Sequence, residues 1–247
     1  MHTDPSVDSL ATDRLAAWQS LSARPSTETL FDADAGTVAI GRHPEGNDAV
    51  LELYSSEGAT HATITGRPGI GVGTLWDAEE ATALVEPWAV DPGGAHTAHR
   101  PLLRCADTAE RAVELLAEAR ELVLSRVHGG LLQLTLKGYR PTDGQPLVTL
   151  TVVGLADLVQ QDRRIGRELE VIARWARRGG LSLRSVDRPG AAVPGLLGQI
   201  LAGGSRIELL AGAGSGGEDQ VLPGTGLLTL PFGEPVPFRA WPPVPGA

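Results

Sequence analysis

The chain has 247 residues, 42% of them hydrophobic and only 4% aromatic, and a formal net charge of -9. That length and apolar share call for one large core or two small ones, filled mainly by Leu, Val, Ile and Ala. The acidic balance gives nucleic acid no general attraction, and a lone cysteine, Cys105, excludes an internal disulfide and an all-cysteine metal site.

The first residues carry neither the apolar run nor the basic head of a signal peptide. No later stretch is apolar for the roughly 18 residues a membrane helix needs, so a cytoplasmic chain is expected. Such a chain can still sit peripheral to a membrane complex through a partner. Residues 5–23 predict an N-terminal helix with Leu10, Leu15, Ala16 and Trp18 as apolar positions, broken at Pro25 and Ser26. The expected organisation is a helical extension over 1–34, one domain over 35–240 and a short tail over 241–247.

Residues 37–42 read as a short strand, followed by the turn at 43–47 and a second strand over Val50–Tyr54. From His61 a short β-prone run leads into a glycine-rich loop and then a helix from about Thr74 to Leu84. Strand, glycine loop, helix is the context of a phosphate cradle. Trp88–Val90 is a further strand candidate.

The block 107–126 is the clearest helix, with Asp107 as its expected cap and Glu110 completing a capping box. Val113, Leu116, Ala119, Leu122 and Val123 form its expected apolar stripe. Leu147–Val153, an unbroken apolar and β-branched run, suits a central parallel strand covered on both faces. A helix over about 163–178 is stopped by Gly179 and Gly180, and Leu181–Val186 gives another strand.

From residue 189 glycine and proline become dense, and 212–220 reads as a flexible loop between strand candidates at 205–210 and 226–230. Strands alternating with helices predict an α/β fold. The expected form is a P-loop NTPase-like (RecA-like), mostly parallel sheet with helices on both faces and an irregular C-terminal edge.

The glycine loop matches only part of the phosphate-binding pattern GxxxxGK[ST], in which lysine neutralises phosphate charge and the hydroxyl holds Mg²⁺. Gly66 and Gly71 have the spacing, with Arg67 and Gly69 between them. Val72 stands at the lysine position and Gly73 at the hydroxyl position. Thr74 comes one residue late, roughly 100° around the helix, and Pro68 removes a backbone donor. Asp77, Glu79 and Glu80 in the following helix are expected to repel a phosphate. The same segment also fits a plain tight turn between strand and helix, and Arg67 a solvated loop arginine.

Beyond that loop, the order and spacing of segments over most of 35–240 resemble the motor domain of the FtsK/SpoIIIE/HerA-like ATPases. That family includes DNA translocases, conjugation translocases and type VII secretion ATPases. His61 matches the histidine that commonly begins the strand before Walker A, and Ala89–Gly94 is similar to the strand end "IDPKGG" without its lysine. Thr151–Leu158 resembles the Walker B run. The resemblance places Val153 where the Mg²⁺-organising aspartate would stand and Gly154 where the water-activating glutamate would stand. Asp157 corresponds to a downstream acid. Ile172–Leu183 and Arg188–Pro189 resemble a later conserved stretch, whose sensor-like Thr-Gln pair is here Val186-Asp187.

The resemblance implies a domain with four catalytic positions altered together: Val72, Gly73, Val153 and Gly154. No catalytic residue, metal site or obligatory cofactor is expected, and weak ATP or ADP binding is left open. His96 and His99 have a chelating spacing, but their Gly-Gly and Pro101 surroundings read as a loop.

Arginines 163, 164, 167, 174, 177 and 178 concentrate on one helix. They read either as a solvated face with pairs such as Arg167 with Glu170, or as a docking surface. Arg174, Trp175, Arg177 and Arg178 are the interface candidates, although Trp175 reads first as a core residue. The function expected is a non-catalytic, motor-like assembly or regulatory subunit. Its partner would be an active homologous ATPase, a transfer or secretion complex, or further copies of itself. The alternatives are a nucleotide-sensing pseudoenzyme and a DNA-binding module without motor activity.

Overall fold

The computed structural model describes residues 25–66, 72–94, 96–97, 100, 103–129, 139–210 and 224–241. The expected N-terminal helix over 5–23, the loop over 212–220 and Arg67, Gly69 and Gly71 lie outside these residues. The first strands are β1 (Phe31–Asp32), β2 (Thr37–Arg42), β3 (Asp48–Glu52), β4 (Tyr54–Ser55), β5 (Gly58–Ala59) and β6 (Ala62–Thr65). Helix α1 (Val72–Glu80) leads to β7 (Val85–Val90) and β8 (Arg104–Ala106), then α2 (Ala109–Gly129) and β9 (Leu147–Val153). Helices α3 (Leu155–Gln161) and α4 (Arg163–Gly179) precede β10 (Leu181–Asp187). Helix α5 (Gly195–Ala202), β11 (Ser205–Leu209), β12 (Thr225–Thr229) and β13 (Val236–Ala240) complete the order.

Strands β11, β6, β10, β9, β7 and β8 lie side by side in that order, all parallel. Beyond β11 the same sheet continues antiparallel through β12, β13 and β2 to β1, with β3 also on β2. The expected mostly parallel sheet is present, and the glycine- and proline-rich C-terminal part forms its antiparallel extension. Six of the seven β9 residues are buried, as its apolar sequence requires of a strand covered on both faces.

Alternation along the parallel strands separates two cores. On one side Leu75 and Trp76 of α1 join Ile64, Ala89 and Val186. On the other, Leu116, Ala119 and Val123 of α2 and Leu169, Ile172 and Ala176 of α4 join Val148, Leu150, Val152 and Leu183. Helices thus cover both faces. Gly180 ends α4 in the left-handed conformation (φ 67°), its N–H donating to the Ala176 carbonyl, which is why the helix stops there.

Several boundaries differ from the sequence expectation. The second strand covers Asp48–Glu52, and Tyr54 belongs instead to the short β4–β5 pair. Helix α1 runs Val72–Glu80, not from Thr74 to Leu84. Thr108 rather than Asp107 caps α2: its hydroxyl accepts from Arg111 N–H at 3.3 Å, while Asp107 pairs with the Arg111 guanidinium. In α2 the fully buried positions are Ala112, Leu115, Leu116, Ala119 and Val123. Val113 and Leu122 sit at the edge of that stripe, because it is rotated slightly from the one expected. Phe31 and Asp32, from the expected extension, pair with β2, and Trp241, from the expected tail, is buried.

Candidate functional site

Parallel strands end together, so residues far apart in sequence meet along the C-terminal edge of the sheet. Here that edge gathers Gly66 after β6, Val153 and Gly154 after β9, and Val186 and Asp187 at the end of β10. The Gly66 N–H donates to the Asp187 carbonyl at 3.2 Å and the Gly154 N–H to the Val186 carbonyl at 2.8 Å. The Asp187 carboxylate accepts from Ala156 N–H at 3.0 Å, holding the start of α3. Burial pushes the Asp187 carboxyl up from its ordinary value, and the Ala156 and Ser185 hydrogen bonds oppose that shift.

Gly66 and Gly154 thus both lie against the end of β10, and the side chains of the described candidate positions offer little chemistry. Val72 is 2% exposed and packs into the core beside Leu75. Gly73 has no side chain. Thr74 is buried, and its hydroxyl donates to the Trp241 carbonyl at 2.8 Å, while Trp241 N–H donates to the Ile40 carbonyl. Val153 is half-buried, and Gly154 adopts φ 67°, the left-handed region that favours glycine. Asp157 faces solvent and pairs with Arg188 at 3.0 Å.

Gly66 has a reason to be glycine that involves no ligand. A Cβ there would lie 2.6 Å from Leu209 Cβ and 2.9 Å from its carbonyl oxygen, with φ +151°. The close approach of β11 suffices to exclude a side chain.

The acids of α1 do not act as the expected phosphate-repelling charges. The helix begins at Val72, so its first turn contains none of them. Arg100 donates to the Asp77 carboxylate at 2.6 Å, to Glu80 at 3.3 Å and to the Gly73 carbonyl at 3.0 Å, and it lies over the Trp76 ring. Glu79 turns into the sheet, where it accepts from the buried Arg184 guanidinium and, at 2.9 Å, from the Thr149 hydroxyl. Arg100 and Arg184 were not singled out from sequence. Arg100 sits in no motif, but Arg184 lies within a strand buried along its whole length, and a charge buried in a central strand requires an opposite partner.

Asp91 also lies at this edge, whereas His61 lies at the opposite end of β6. Asp91, after β7, is 1% exposed, and its Oδ2 accepts from the His96 and Thr97 N–H groups and the Thr97 hydroxyl. His61 precedes β6 and is buried; its Nδ1 accepts from Leu183 N–H at 3.1 Å. Burial first, then the nearby Arg177 charge, lowers its pKa to about 4, so the ring is neutral. Among the described residues no group of three or more His, Cys, Asp or Glu could hold a metal. No helix among them is long and apolar enough to cross a membrane.

The interface candidates lie apart from this edge, on α4. Trp175 is 40% exposed, which decides against a core role, and Arg174, Arg177 and Arg178 are exposed too. Arg177 pairs with Glu57 at 2.9 Å. Arg167 does not pair with Glu170: among the described residues Arg163, Arg167, Arg174 and Arg178 make no ion pair.

No protein-family model and no curated protein sequence matches the chain. Solved structures do. The pCW3 conjugation coupling protein TcpA, in its monomer form with ATPγS, superposes with a TM-score of 0.63 at 17% identity over 90% of this chain and 71% of TcpA. ATPases 2 and 3 of EccC from Thermomonospora curvata, in complex with a signal sequence peptide, give 0.63 at 14% identity over 88% of this chain and 42% of that one. ATPases 2 and 3 of EssC from Geobacillus thermodenitrificans give 0.59 at 17% identity over 90% and 47%. The chain thus spans less than half of the length of these two structures. Together with the parallel sheet and its two helical layers, these likenesses show that the chain has the P-loop NTPase-like α/β fold of these structures.

Proposed function

We propose that the chain is a non-catalytic, motor-like subunit that assembles with or regulates an ATPase of a DNA-transfer or secretion system. The observation that carries this reading is the chemistry of the sheet edge. Four positions that would supply a phosphate-neutralising ammonium, a Mg²⁺-binding hydroxyl, a metal-organising carboxylate and a base are Val72, Gly73, Val153 and Gly154.

Among the described residues the nearby polar groups are engaged elsewhere. The Thr74 hydroxyl is engaged by the Trp241 carbonyl, the Asp187 carboxylate by Ala156, and the Asp91 carboxylate by its own loop. These residues do not fit Mg·ATP, and no hydrolytic step can be assigned to them. Each lost transition-state contact typically costs a few kcal/mol, and groups acting as a unit fail together.

A cytoplasmic docking role uses what remains: a P-loop-like scaffold and an exposed arginine helix. The test is recovery of the tagged chain from its native cell after mild crosslinking. An ATPase with an intact lysine and acidic pair should copurify in a stoichiometric ratio. Recovery of the tagged chain without any such ATPase would contradict the assembly role.

A further inference from the structure

The exposed faces of α2 and α4 carry opposite charges at matching heights. On α4, successive residues turn about 100°, so Arg163, Arg167, Arg174 and Arg178 fall within roughly 60° of arc. All four are exposed and none forms an ion pair among the described residues. Val171, half-buried, and Trp175, exposed, flank the stripe on its α2 side. On α2, Glu110, Glu114 and Glu121 fall within about 40° of arc and are exposed. Glu118 beside them pairs with Arg104, whereas Glu114 and Glu121 make no ion pair among the described residues.

The two helices pack side by side on one face of the sheet and run the same way, each returning to the start of a parallel strand. Arg120 of α2 bonds Glu168 of α4 at 3.1 Å, and Arg126 donates to the Gly179 and Gly180 carbonyls. Gly179 abuts Val123 so closely that a Cβ would lie 2.7 Å from its Cγ1. That contact fixes the relative height of the two helices: Glu121 lies level with the Arg174–Arg178 stretch, Glu114 with Arg167, and Glu110 one turn farther along, near Arg163 and Arg164.

We infer that this face is a two-fold interface between copies of this chain. A two-fold axis parallel to the helices lays α4 of one copy over α2 of the other at the same height, twice. Arg174 and Arg178 then meet the partner's Glu121, Arg167 meets the partner's Glu114, and Arg163 meets the partner's Glu110. Val171 and Trp175 supply the apolar contact, Trp and Arg being the residue types that dominate interface energetics. The same acids argue against a nucleic-acid occupant. Glu114 and Glu121 sit beside the arginine stripe, and the whole chain is at -9, so a phosphate backbone would meet repulsion on the same face.

The stripe is roughly 22 Å long and the two helices stand about 10 Å apart, so the face offers roughly 450 Å² per copy. That is the size of a weak, salt-sensitive contact. The dimer deepens the assembly role proposed above and rests on it for its purpose, but ATP turnover does not enter its test.

The test is sedimentation equilibrium of the full chain at about 20 mM and about 0.5 M salt. The wild type should be dimeric at low salt and shift to monomer at high salt. R167E/R174E should be monomeric at both, with a dissociation constant raised at least tenfold. Adding E114R/E121R to that double variant should recover at least tenfold in affinity, since the charges at 167 and 174 are then exchanged with those at 114 and 121.

A monomeric wild type at low salt would overturn the inference. So would a fourfold variant that melts like the wild type yet stays monomeric. Salt-dependent DNA binding that R167E/R174E abolishes, in a chain that remains monomeric, would reassign the stripe to nucleic acid. Copurification of an ATPase with a monomeric chain would leave the assembly role standing without this dimer.

Discussion

Replacing Glu79 by alanine should be among the most damaging single changes to this fold. Glu79 and Arg184 are 0% and 1% exposed in their side chains, so both charges are removed from water and depend on each other. Thr149 supplies one further hydrogen bond to the carboxylate. Removing the acid leaves a buried guanidinium whose Nε and Nη1 already have no partner. Breaking a buried pair from one side costs about 3–5 kcal/mol. At about 2–4 °C per kcal/mol for a chain of this size, the melting point should fall by roughly 6–20 °C. The double change E79L/R184M removes both charges and should recover most of that loss, because a buried pair is often no better than apolar packing.

Urea unfolding of the wild type, E79A, R184M and the double variant, followed by circular dichroism, measures the coupling directly. An E79A midpoint within about 1 kcal/mol of wild type would refute the view that this pair pins α1 to the sheet. A double variant no more stable than E79A would refute the account of the damage as an orphaned charge.

Two other predictions concern His61 and Gly66. The His61 pKa is lowered from 6.5 to about 4 by burial and Arg177, so the folded state binds fewer protons than the unfolded chain. The neutral ring's contribution is complete above pH 6.5 and is lost as pH falls toward 4, about 3 kcal/mol in all. H61A should lose that part of the acid sensitivity between pH 7 and 4, and an unchanged difference in unfolding free energy across this range would refute it. Gly66→Ala should cost about 1–3 kcal/mol without any ligand, since the new Cβ collides with Leu209. A variant as stable as the wild type would mean that the glycine is there for another reason.

The sequence was most legible where one physical demand dominated. β9 is readable to its last residue because an unbroken run of apolar and β-branched residues suits a strand covered on both faces. α4 is readable because an apolar stripe ends at two glycines, the second taking the left-handed cap. β13 was not legible, since Pro237 lies within it and only its pairing with β12 and β2 makes it a strand. α5 was hidden by its glycines and by Pro194, and β8 is only Arg104–Ala106, held by its pairing with β7.

At the candidate site, spacing located the positions that meet at the sheet edge, because a parallel sheet brings strand ends together. It could not show what their neighbours do. Thr74 bonds to Trp241, 167 residues away, and Glu79 to Arg184, 105 residues away, and neither pairing leaves a local signal. Trp175 could be read either way because its helix has apolar residues on the adjoining face, and only the packing shows which side it takes.

The proposed loss of ATP turnover is open to direct measurement. Phosphate release by the purified chain in excess Mg·ATP is followed, and a slowly hydrolysed analogue is titrated in a calorimeter. No release above the uncatalysed background and no binding heat at micromolar nucleotide are expected. Mg²⁺-dependent release that disappears when the Gly66–Gly73 loop is disrupted would contradict the proposed loss.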